Sequence, residues 1–135
     1  MKFSEVVERV VNLSATINAY WDTELHKLHP RYPLIDDPDI PDPPPPPQAE
    51  EMRQLLRARP AEEVRKLMAI YRLGVGYFRP GEFPGPARPD GLPEPTTDGI
   101  IDELASGDLS EFLLVGVHEL RATGIDLNAL EPVAA

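Results

Sequence analysis

The sequence predicts an all-α fold: about five helices in a small bundle, joined by long proline-rich connections. Three observations carry that expectation. Apolar residues recur at intervals of three and four along several stretches, the period of a one-sided helix. No stretch sustains the period-two alternation of a half-buried strand. The 17 prolines and 9 glycines among 135 residues are more than a compact domain normally uses, and they concentrate in irregular connections.

The first helix is expected over Phe3–Leu28. Its apolar positions are Phe3, Val6, Val10, Leu13, Ile17, Tyr20, Trp21, Leu25 and Leu28. Ser4 is the expected N-cap, and Glu5 and Glu8 place negative charge where the helix dipole favours it. Pro30 ends the helix, because the residue before a proline is pushed out of the α region. So long a stripe must be buried against other helices or a second copy.

Residues 29–47 read as an acidic, proline-punctuated linker that closes with five consecutive prolines. That run lacks backbone donors and adopts extended polyproline II. It can serve as a stiff spacer or as a docking segment, and the spacer is the expected role. A helical domain follows over residues 48–130, with a tail at 131–135. Its first helix covers residues 48–57, with Met52, Leu55 and Leu56 on one face. The next runs over residues 60–72, with Pro60 at its first position and Val64, Leu67, Met68 and Tyr71 as its apolar face. Gly74 is the expected residue just past its end.

Residues 79–97 form a second irregular loop with six prolines and three glycines. A helical hairpin completes the pattern. Asp98 caps a helix bearing Ile100, Ile101, Leu104 and Ala105, which Gly107 ends. Asp108-Leu109-Ser110-Glu111 resembles a capping box opening the last helix. Its expected buried face is Leu109, Phe112, Leu113, Gly116, Val117 and Leu120, with close helix packing as the reason for Gly116. Ile125, Leu127 and Leu130 fold back as a short tail.

Composition excludes several function classes. Thirteen basic and 23 acidic residues give a net charge of −10, which repels phosphate and argues against nucleic acid as a partner. No cysteine is present, so disulfides, thiolate nucleophiles and cysteine-ligated metals are ruled out. The longest apolar run spans residues 112–117, against the ~20 residues of a membrane-spanning helix. The charges within the first nine residues do not fit a signal peptide, and a cytoplasmic location is expected.

Charge is also segregated. Residues 52–79 carry +5, whereas residues 1–51 carry −6 and residues 80–135 carry −9. Two readings follow. The acidic arms can lie across the basic island, or Arg53, Arg57, Arg65, Lys66 and Arg72 can form an exposed surface for an acidic partner.

Three groups are candidates for chemistry. Asp22, His26 and His29 project within about 60° of one another on a helix and could bind a divalent transition metal. The face is far from the apolar stripe and His29 adjoins Pro30, which favours an ordinary polar helix end. A small-ligand pocket is conceivable near Tyr71, Tyr77 and Phe78, with Arg72 and His118, around Leu73-Gly74-Val75-Gly76. That glycine pair follows a helix rather than a strand and no Gly-Lys follows it, so it is neither a Rossmann turn nor a P-loop. The competing reading is a helix end with Tyr77 and Phe78 folded inward. His118, beside Val117, is expected to border the core. No serine has the glycine-flanked setting of a nucleophile elbow, no Glu-x-x-His pair of a di-iron bundle occurs, and no cofactor is implied.

Several of these features resemble a family of small bacterial helical proteins described only as a domain of unknown function. The similarity covers residues 54–127. It rests on Leu55-Leu56, Pro60-Ala61-Glu62-Glu63, the segment from Ala69 through Tyr71 to Gly76, and the last helix followed by Gly124-Ile125-Asp126. In that family the glycine pair reads Leu-Gly-Arg-Gly-Asp, where this chain has Val75 and Tyr77 at the Arg and Asp positions. The resemblance implies a bacterial cytoplasmic helical domain and brings no activity with it. The functional expectation is a non-enzymatic protein-interaction or regulatory protein whose partner is another protein or a second copy. A small-ligand or divalent-metal-binding protein is the alternative.

Overall fold

The computed structural model describes residues 1–86 and 92–130. The 131–135 tail and the middle of the 79–97 loop lie outside the described residues. The fold is all-α, with five helices among the described residues: α1 (Phe3–Leu28), α2 (Pro47–Arg57), α3 (Ala61–Val75), α4 (Thr97–Ser106) and α5 (Ser110–Ala122). Single 3-10 turns occur at Pro80–Glu82 and Leu127–Ala129.

The helices pair as α3 with α5 and α2 with α4, and α1 lies across α2, α4 and α5. The stripe of α1 is buried from Phe3 to Ile17, and Val7 and Ser14 widen it. From Tyr20 onward the same stripe is only half-buried. The linker covers part of that half: Pro46 is buried, and the Tyr20 hydroxyl donates to the Pro44 carbonyl. Leu127 and Leu130 fold back into the core as expected.

α3 carries the longest uninterrupted buried run among the described residues. Val64 and every residue from Lys66 to Ile70 are buried, as is Leu73. Its contact with α5 is the most extensive in the molecule and depends on two glycines. A Cβ on Gly74 would sit 1.8 Å from the Phe112 carbonyl oxygen. One on Gly116 would sit 2.0 Å from the Ile70 carbonyl oxygen. Only hydrogen fits at this crossing. Gly74 is therefore inside α3 rather than past its end. Gly76 ends the helix instead, in the left-handed conformation (φ 104°) that glycine adopts without strain.

The caps differ from expectation in a consistent way. Ser4 lies inside α1, whose N-cap is Lys2. The Ser4 amide is capped from far along the chain, by Asn128 Oδ1 at 2.9 Å, and Asn128 Nδ2 donates to Ser4 Oγ at 3.1 Å. Thr96, not Asp98, caps α4, accepting from the Gly99 amide at 3.0 Å. Leu109 occupies the N-cap of α5 and makes no side-chain cap, so the Asp108 box does not form.

Candidate functional site

A cleft of about 420 Å³ opens between four segments. Asn18, Trp21, Asp22 and Leu25 from α1 form one wall. Tyr32, Asp42 and Pro45 of the linker form the second. Ala49 and Arg53 come from α2, and Asp102, Ala105, Ser106 and Asp108 from α4 and the turn after it.

Local sequence explains this meeting. Pro47 opens α2 and the prolines before it keep the linker extended, so it runs beside the half-buried end of α1. Gly107, at φ 81°, caps α4 and abuts α1. A Cβ there would lie 2.8 Å from the Asn18 amide nitrogen, so glycine allows the α4–α5 turn to press against α1. That contact brings Ser106 and Asp108 to the cleft.

Four carboxylates and one guanidinium line the cleft. Arg53 Nε reaches Asp102 Oδ1 at 3.4 Å. Asp22 Oδ1 lies 3.6 Å from His26 Nδ1. Asp42 and Asp108 have no ion-pair partner among the described residues. Ala49 and Ala105 are buried, so the charges surround an apolar floor. Trp21 and Tyr32 supply aromatic surface, with Trp21 edge-on to Tyr20 at 5.3 Å and Tyr32 edge-on to His26 at 5.1 Å.

The structure brings Asp22 and His26 together but separates His29 from them. His26 Nδ1 lies 2.7 Å from the Asp22 carbonyl oxygen. His29 is the C-cap of α1 and is 3% exposed, whereas Asp22 and His26 are open to solvent. No group of three or more metal-ligating His, Cys, Asp or Glu side chains gathers among the described residues.

Most of the basic island is paired or buried. Arg53 pairs with Asp102, and Arg72 grips Glu94 with both terminal nitrogens at 3.1 and 2.8 Å. Lys66 is buried, with its ammonium 3.9 Å from Glu62 and 5.3 Å from the centre of the Phe3 ring. Arg65 is half-buried, and Arg57 is exposed at the last turn of α2. Arg59 forms a two-pronged pair with Glu63 at 2.6 and 2.9 Å, and that hydrogen-bonded carboxylate raises the guanidinium above its ordinary pKa. Of Arg53, Arg57, Arg65, Lys66 and Arg72, only Arg57 is exposed.

The aromatic residues near the glycine pair take different ring neighbours. Tyr71 packs edge-on to Phe112 at 6.3 Å, Phe78 leans on Phe83 at 6.2 Å, and Tyr77 is exposed rather than folded inward. His118 is exposed on α5 and does not border the core. The cleft itself was not among the expectations from sequence. Its one local signal is the adjacent pair Trp21-Asp22, a large aromatic beside a carboxylate at the edge of the α1 stripe.

No family model, curated protein or solved structure matches this chain. Among the described residues no helix is long and apolar enough to cross a membrane.

Proposed function

We propose that this chain is a non-enzymatic interaction module that binds a basic segment of a partner protein in the cleft between α1, the linker, α2 and α4. One observation carries the reading: four carboxylates and two aromatic rings surround an apolar floor, with Arg53 the single cation in the lining. A lysine or arginine side chain matches that arrangement. Its methylene stem covers the alanine floor while its charged head meets the rim carboxylates and an aromatic face. The net charge of −10 supports the same direction, because it draws basic partners toward the molecule and raises their encounter rate.

Trp21 is the single tryptophan, so its fluorescence reports directly on the cleft. The test is titration with a short lysine- and arginine-rich peptide at low and high salt. The expected result is a saturable change in Trp21 emission whose affinity falls as salt screens the rim charges. The triple variant Asp22→Asn, Asp42→Asn, Asp108→Asn should lose the response while keeping its helical circular dichroism. An unchanged spectrum at millimolar peptide, or an equal response in the triple variant, would reject the proposal. A response to a simple diamine but not to the peptide would instead make this a small-molecule site.

A further inference from the structure

The second feature that calls for an explanation is α5. Its inner side packs on α3 through Leu113, Gly116, Val117 and Leu120, all buried. A surface helix needs apolar residues on that side only. Yet the chain's longest apolar run lies here, and Phe112, Leu114 and Val115 are 40%, 55% and 38% exposed. At ~100° per residue, Glu111, Leu114, Val115, His118 and Ala122 fall within an outward arc of roughly 100°. This is a second stripe, apolar in the middle, with Glu111 near one end and Arg121 flanking the other. Neither Glu111 nor Arg121 forms an ion pair among the described residues.

We propose that this face of α5 is a contact between two copies of the chain, packed antiparallel about a twofold axis near Val115 and Gly116. The charge pattern selects that occupant. An antiparallel image of the stripe sets Glu111 of one copy against Arg121 of the other, twice by symmetry, and leaves Leu114 and Val115 in the middle. A C2 contact has to be self-complementary, and this stripe is. The contact is small and two chains of −10 repel each other, so the dimer is weak, with a Kd on the order of 100 μM. It uses none of the residues that line the cleft.

Sedimentation equilibrium from about 10 μM to about 1 mM is the test, a range that brackets that Kd. The expected mass rises from 15.0 kDa toward twice that value. Glu111→Arg alone and Arg121→Glu alone should each weaken association by about tenfold, since each replaces two attractions by two repulsions. An equimolar mixture of the two single variants should recover association, because each then supplies what the other lacks. Leu114→Glu, at an exposed position that folding does not depend on, should abolish it. A mass of 15.0 kDa throughout, or single reversals that leave association unchanged, would overturn the proposal.

Discussion

Gly74 and Gly116 meet where α3 crosses α5, so closely that a Cβ on Gly74 would lie 2.8 Å from the Gly116 amide nitrogen. An exposed helical glycine gains about 1 kcal/mol when replaced by alanine. Here the sign reverses, because the new methyl would overlap carbonyl groups that belong to rigid helix backbone. Gly116→Ala and Gly74→Ala should each cost about 3 kcal/mol in urea denaturation. Gly81→Ala, where a Cβ meets nothing within 4 Å, should change stability by less than about 0.5 kcal/mol.

Ser14 gives the opposite expectation. Its hydroxyl is fully buried on the core side of α1 and has no hydrogen-bond partner among the described residues. Replacing it by alanine removes an unsatisfied polar group and adds a stronger helix former. Ser14→Ala should stabilise the protein by about 1 kcal/mol, read as a higher urea midpoint at unchanged slope.

Alkaline pH should expose Tyr71. Burial raises its phenol above the ordinary value of 10.0, with nearby Tyr77 and Glu103 adding to the effect. A raised folded pKa means that the unfolded chain gives up this proton first. The stability from the neutral phenol is therefore fully present below pH 10 and is lost as pH rises through the folded pKa. Tyr71 should ionise above the ordinary tyrosine value in an ultraviolet titration. Tyr71→Phe should flatten the fall in stability above pH 10, and a fall unchanged in that variant would show that another group causes it.

The helices themselves were legible in the sequence because their stripes are long and regular: α1 occupies the residues that its spacing of three and four implies. The helix ends were less so, and the glycine pair shows why. Gly74 and Gly76 look equally suited to end α3, and only the approach of α5 reserves Gly74 for the crossing and leaves the cap to Gly76. Ser4 has the chemistry of a cap, yet the donor it would satisfy is one turn away from where α1 begins. The run at residues 112–117 is apolar almost all round, so periodicity does not tell which side faces inward, and Phe112 and His118 are more exposed than the stripe implies. The cleft joins three neighbouring segments within residues 18–53 to a fourth at 102–108, and the periodicity of α1 does not show that long-range meeting.

The clasp between Ser4 and Asn128 also has a consequence in time. α1 leaves the ribosome before every element that covers it, and the side chain that caps its first turn is made 124 residues later. Until α2, α4 and α5 follow, Val6, Val10 and Ile17 lack the helices that cover them. The interval in which that stripe is incompletely covered is when the chain is most exposed to aggregation.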